Sequence, residues 1–265
     1  MRSASAVALL ALVAGLAWPA RLAAQERPFV FSVSTARPST EARVRVDLET
    51  GAGERAFASD TANRPEERVG VQMSSGRLTV LARVGLSSTG SAYQSSQSGE
   101  LLVSLFDRGA SRFGLAAGGG VLHEAGGVNV LLARVVAIRD VPAWRLDANV
   151  LLQKPLASNR DAVDVATSVG WGFKIAPAVS LGAELVGEDL EGFWEPSEAE
   201  GGARLLLGPS VHVRPHGRRW QLTAAGGPTL HPRANPLSSD AIRDLPAATR
   251  RWGYAARASL SISVF

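Results

Sequence analysis

The chain has 265 residues, enough for one large or two small domains, and no cysteine. That excludes a disulfide framework, a thiolate metal site and a lipid-anchored cysteine at a processed N-terminus. The formal charge of +4 falls once Arg2 and Arg21 leave with the segment described next, 26 basic residues then facing 24 acidic ones. So small a surplus, with no block of five or more like charges, excludes nucleic acid as an expected partner.

Residues 1–24 read as a signal peptide. In "MRSASAVALLALVAGLAWPARLAAQ", Arg2 supplies a positive start, Ala4 to Trp18 an apolar stretch, and "LAA" small residues for cleavage after Ala24. The alternative is an uncleaved anchor, for which the segment is short and is broken by Pro19. Residues 25–41, including "FVFSVST", are expected to form a periplasmic lead-in.

From Ala42 the chain is a series of alternating segments. "RVRVDLE" sets Val44, Val46 and Leu48 against Arg43, Arg45, Asp47 and Glu49. "WRLDANVLLQ" sets Trp144, Leu146, Val150 and Leu152 against Arg145, Asp147 and Asn149. "RWGYAARASLSISV" puts Trp252, Tyr254, Leu260, Ile262 and Val264 on one face. A period of two places alternate residues on opposite faces of a strand. Several segments reach the nine to eleven residues that a membrane-crossing strand needs, and none of comparable length has the helical period. The class is all-β, with strands predicted near 42–50, 68–74, 77–87, 99–106, 111–121, 128–138, 143–153, 162–174, 178–187, 202–213, 218–227 and 250–265. Twelve is the expected number, with ten or fourteen as alternatives.

Connections alternate between short and long. Short turns fall near Ser75, Asp107, Arg139, Ile175 and Arg214. Long polar loops are expected at Thr50–Glu67, Ser87–Ser98, Lys154–Asp161, Glu188–Gly201 and Pro228–Thr249, with "HEAGG" at His123 as a short exception. Phe113, Trp144, Trp171, Phe173 and Trp220 have outward parity beside the short turns, and Trp252 and Tyr254 lie at the other rim. Aromatic girdles of this kind sit at the two membrane interfaces.

A cleavable leader, absence of cysteine, long alternating strands and a terminal Phe265 together resemble the bacterial outer-membrane β-barrel proteins, without identifying a subfamily. The resemblance implies an antiparallel up-and-down transmembrane barrel over residues 42–265 in the outer membrane, with outer-membrane lipid around it. It also implies that periplasmic chaperones and the barrel-insertion machinery are partners, and that Phe265 serves as the insertion signal. The chain departs from the usual signal, because Ser263, Ser261 and Ser259 hold the positions where apolar residues are usual. A soluble exported β-sandwich or small ligand-binding barrel is the rival architecture.

The inward parity set is Arg43, Arg45, Asp47, Glu49, Arg83, Arg145, Asp147, Asp164, Lys174, Glu184, Arg204, Ser210, His212 and Arg257. Charges of both signs either line a narrow channel or pair and plug it. Small inward residues such as Ser259, Ser261, Gly170 and Gly172 are expected to leave room for water. Twelve strands lie between the filled eight-stranded barrel and the open sixteen-stranded one, so geometry permits a narrow pore without demanding it. Arg134 shares a parity with Val128, Val130 and Val136, yet facing lipid at mid-depth would cost roughly 2–4 kcal/mol. It is expected to point inward, through a bulge or an apolar patch in the lumen.

Enzymatic and metal chemistry find little support. Ser210 and His212 form the one nucleophile–base candidate, but their parity points away from the lipid that an outer-membrane hydrolase would attack. "HEAGG" lacks the second histidine of a zinc-protease helix, and "GLAAGGG" lacks the Lys-Ser/Thr of a phosphate loop. No catalytic residue, metal or cofactor is expected. The function expected is a narrow porin-like channel for small polar or weakly anionic solutes. The alternatives are a closed barrel that binds ligands or surfaces through its long loops, and a lipid hydrolase.

Overall fold

The computed structural model describes residues 39–53, 65–89, 92–106, 113–124, 127–157, 163–188, 190–194, 203–231 and 251–264. The leader, the remainder of the lead-in and Phe265 lie outside them. Twelve strands are present: β1 (Ser39–Gly53), β2 (Glu66–Gly76), β3 (Leu78–Thr89), β4 (Ala92–Phe106), β5 (Phe113–His123), β6 (Asn129–Asp140), β7 (Trp144–Pro155), β8 (Asp164–Ala176), β9 (Val179–Glu188), β10 (Arg204–Val213), β11 (Trp220–Leu230) and β12 (Trp252–Ser263). Each pairs antiparallel with its sequence neighbours, and β1 closes on β12 from Arg45 opposite Ser263 to Gly53 opposite Ala255. The barrel has no free edge, which is what a strand-built protein needs where no water can satisfy its backbone.

Strand parity sorts the side chains. Leu48, Val71, Leu101, Val121, Val135 and Leu207 are exposed on the outer wall, Val121 by 58%, while Leu102 is 0% exposed inside. Water would not tolerate a continuous apolar band around all twelve strands. The outer wall is that of a barrel set in lipid, and the soluble alternative fails because the apolar faces are not packed against each other.

Strand tilt shows in the register. Following partners from Arg45 leads through Gln72, Leu81, Glu100, Gly120, Leu132 and Gln153 to Asp164. That path climbs from the short-turn end of β1 to the loop end of β8, as the shear of a closed barrel requires. Glycines let neighbouring strands approach closely. A Cβ on Gly120 in β5 would lie 2.1 Å from the Gly99 carbonyl oxygen, and one on Gly208 in β10 would lie 2.0 Å from that of Gly226. Only glycine lets neighbouring backbones close to that distance, and β9 and β11 approach each other across β10.

Two expectations about connections change. The serine-rich tract 87–98 is a hairpin, not a long loop, for Ser87 pairs with Gln94 and Thr89 with Ala92. Its residues are largely polar at both alternating sets of positions, so no alternation marks it as a strand. Strand β1 is also longer than expected. It starts at Ser39, inside the expected lead-in, and ends at Gly53. Of the short turns, Gly76, at the end of β2, adopts φ +56° in the tight turn that brings Ser75 opposite Leu78, a conformation glycine takes without strain.

Candidate pore and its lining

The lumen divides into two halves. Toward the loops, a cavity of about 180 Å³ is walled by residues from β2 to β12, among them Arg68, Arg83, Glu100, Arg134, Asn149 and Arg204. Toward the short turns, side chains fill the barrel. Leu81, Leu102, Ala116, Val136 and Ile138 form an apolar cluster there, from β3, β4, β5 and β6. Ser74, Thr79, Ser104, Asp147, Thr223, Ser259 and Ser261 join them in burial.

Charges pair across the strands. Arg45 Nη2 donates to Gln72 Oε1 at 2.6 Å, and its Nε reaches Asp47 at 3.0 Å. Ser261 Oγ donates to the Asp47 carboxylate from β12. Arg68 is bonded to Glu49, and Arg204 Nη2 donates to Glu188 Oε1 at 2.8 Å. Arg145 Nε donates to Asp147 Oδ2 at 3.0 Å. Glu100 receives two arginines: Arg83 Nη1 at 3.0 Å on one side, and Arg134 Nε at 2.6 Å with Nη2 at 3.0 Å on the other. Removing one partner of such a buried pair leaves an uncompensated charge, so these contacts specify the lumen even where their net stabilisation is small.

Arg45, Asp47, Glu49, Arg145, Asp147, Asp164, Glu184, Arg204, Ser210 and His212 are all buried in the barrel interior. Arg43, Arg83 and Arg257 are half-buried. Lys174 departs from the expected set. It keeps inward parity opposite Ser180, but the strand pair ends in a register shift beside the turn, and its side chain is exposed at the rim. The small residues also behave otherwise than expected. Ser259 and Ser261 are each 3% exposed, and Gly170 and Gly172 are buried. Small side chains let the wall curve, and neighbouring side chains take the space that water would have had.

Arg134 points inward, 3% exposed, and the reason is the apolar patch: Val130, Leu132, Val136 and Ile138 share its face and are buried with it. Sequence reading missed Glu100, Gln72, Arg68 and Glu188. Parity carries the signal for the first two, since Glu100 alternates with exposed Leu101 and Val103, and Gln72 stands between exposed Val71 and Met73.

His212 Nδ1 is hydrogen-bonded to Thr223 Oγ1 at 3.0 Å, across the strand pair in the lumen. Ser210 and His212 therefore face the interior, away from the lipid side of the wall. On that outer wall Phe113, Trp171, Phe173, Trp220, Trp252 and Tyr254 are exposed, and Trp144 is half-buried. The Trp171 and Phe173 rings meet edge-to-face at 4.5 Å, and the Arg139 guanidinium lies 5.9 Å from the Trp144 ring centroid. Phe106, at the short-turn end of β4, is a further exposed aromatic that the sequence reading did not single out.

No protein-family model matches the sequence, and no curated protein matches it either. Solved structures do. A KdgM porin in complex with disordered oligogalacturonate superposes with a TM-score of 0.54 at 8% identity, over 82% of this chain and 98% of that one. A NanC porin gives 0.53 at 9% identity, over 83% of this chain and 98% of that one. At such identities the likeness is one of architecture. The chain has the fold of the bacterial outer-membrane β-barrels.

Proposed function

We propose that the chain is a narrow porin-like channel of the bacterial outer membrane for small polar or weakly anionic solutes. The observation that carries this reading is the loop-side cavity of about 180 Å³, held inside a closed barrel and walled by paired charges. A polar compartment in a lipid-set wall has solutes as its natural occupants. The shared fold with two porins supports the same reading. The filled short-turn half sets the limit: a solute passes only when those side chains give way, so flux is small and selective by size.

One observation favours a second reading. Leu81, Leu102, Val136 and Ile138 are at most 2% exposed, and a floor so well packed suits a closed barrel that holds a ligand without passing it. Osmotic swelling of vesicles carrying the refolded mature chain separates the two. Swelling in serine-sized solutes but not in trisaccharides supports the channel. No swelling in any solute, from protein that still runs as a heat-modifiable barrel, supports the closed one.

A further inference from the structure

Charge on the outside of the barrel is divided unequally between its two rims. Among the described side chains, the exposed charges at the short-turn end are Arg77, Arg139, Lys174, Arg218 and Arg219, with Arg214 half-buried beside them. No carboxylate among them is exposed at that end. At the loop end the exposed charges are mixed, Lys154 and Arg251 with Glu67 and Glu191. The sequence of the short turns and adjoining strand ends, lumen-facing residues aside, has the same bias. Arg108 and Arg112 add to the cations, and Glu41, Asp107 and Asp140 are the acidic residues. Eight basic residues thus stand against three, in a chain that balances 26 against 24 once the leader is removed. The surplus is placed at one rim.

The depth of these cations is as informative as their number. Arg77 precedes Leu78, Lys174 follows Phe173 and Arg219 precedes Trp220, and all three apolar neighbours are exposed on the outer wall. Arg139 continues the outer face of β6 beyond Val135 and stands opposite Phe113. A strand rises about 3.3 Å per residue, so the charges lie one step beyond the aromatic band, at headgroup level. Their stems can run along apolar surface while the charged ends reach water.

Two groups form. In the first, Trp144 of β7 stands opposite Phe173, and the Lys174 N–H donates to the Ala143 carbonyl at 3.0 Å. Arg139 of β6 and Lys174 of β8 therefore flank the strand end that carries Trp144, and the Arg139 guanidinium is 5.9 Å from the Trp144 ring centroid. In the second, Arg214, Arg218 and Arg219 share the turn between β10 and β11, where Gly217 adopts φ +70°. Arg219 Nη1 donates to the Val264 carbonyl at 3.1 Å, which ties this turn to the end of β12.

We propose that the short-turn rim is a binding surface for anionic phospholipid, with phosphatidylglycerol-type headgroups held at these two groups of cations. Arginine and lysine donate charge-assisted hydrogen bonds to the phosphodiester oxygens, and the acyl chains lie along the aromatic band. Short turns are the periplasmic ones in barrels of this kind, so the leaflet concerned is the periplasmic one. A soluble acidic protein would answer the charges but not the exposed Leu78, Phe173 and Trp220 next to them, which lipid covers. The inference goes beyond the channel reading and is indifferent to whether the lumen opens.

The test is the electron paramagnetic resonance of spin-labelled lipids at the surface of the mature barrel in phosphatidylcholine vesicles. Labelled phosphatidylglycerol is compared with labelled phosphatidylcholine, using protein that runs as a heat-modifiable barrel. At low salt, phosphatidylglycerol is expected to be favoured about twofold or more, and the preference is expected to shrink in 1 M salt. Arg139→Gln and Lys174→Gln together are expected to remove part of it, and Arg218→Gln and Arg219→Gln added to them most of it. Arg139→Lys with Arg218→Lys and Arg219→Lys keeps the charge and is expected to keep the preference. Lys154→Gln with Arg251→Gln, at the loop rim, is expected to leave it unchanged. Equal association of the two lipids with the wild type overturns the proposal and leaves the basic rim to an acidic soluble partner. A preference that survives the fourfold short-turn variant, or is lost in the loop-rim variant, overturns it as well.

Discussion

Arg134 of β6 and Glu100 of β4 meet at 2.6 Å across a strand that separates them. The intervening β5 presents Gly118 opposite Arg134 and Gly120 opposite Glu100, so no side chain stands between the pair. The run "GGG" and the buried arginine are one device. The glycines clear the space over which the charges join, and the joined charges keep an arginine out of the lipid.

Glu100→Gln is expected to cost more than Arg134→Met. The glutamine removes the carboxylate that both arginines bond, whereas loss of Arg134 leaves Glu100 still held by Arg83. Breaking a buried pair from the side that leaves charge uncompensated costs about 3–5 kcal/mol. Urea unfolding of both variants in lipid vesicles gives the order, and equal costs would remove Arg83 from the account.

Gly120→Ala and Gly99→Ala make a matched pair on facing positions' strands. A Cβ at Gly120 meets the Gly99 carbonyl oxygen at 2.1 Å and Glu100 Cα at 2.8 Å, so backbone has to move. A Cβ at Gly99 meets nothing within 4 Å. The first change is expected to destabilise by about 1–3 kcal/mol or to prevent folding. The second stays within about 0.5 kcal/mol. Heat-modifiable migration and urea midpoints check both.

The wall's polarity is tested on one strand. Val135 is exposed on the outer face of β6, next to buried Arg134. Val135→Arg is expected to cost roughly 2–4 kcal/mol in vesicles, as an arginine at mid-depth does. A neutral result would move this part of β6 out of the apolar belt.

Phe265 lies beyond the end of β12 at Ser263, outside the described residues. We propose that it acts in recognition by the insertion machinery rather than in the barrel itself. Its deletion is expected to lower outer-membrane levels in cells while leaving detergent refolding unchanged. Equal loss in both assays would make it a structural residue.

The fold was legible because a lipid-set barrel writes its parity into nearly every strand: Leu48 against Asp47 and Glu49, Ile262 against Ser261. Legibility failed where that constraint lapses. The hairpin through Ser87 and Gln94 is built of largely polar residues at both alternating sets of positions, so its pairing left no pattern. The interior was half legible. Parity gave the inward direction of Asp47, Asp147 and Glu184, but not who pairs with whom, because tilt brings residues of distant register together. Glu100 and Arg134 come from alternation on separate strands, and only the glycines of β5 allow them to meet. Nor does alternation say whether small inward residues leave water or let the wall tighten, which depends on curvature.

Single-channel conductance of the mature barrel in a planar bilayer, wild type beside Leu102→Ala and Val136→Ala, asks whether the packed half of the lumen is the constriction of a channel. Both substitutions trim the apolar cluster that fills the short-turn half of the lumen. Small discrete openings are expected from the wild type and clearly larger ones from the trimmed floor. Wild-type steps that trimming leaves unchanged would contradict that expectation, for the filled half would then not be the constriction. Silence from all three folded proteins would contradict the channel itself.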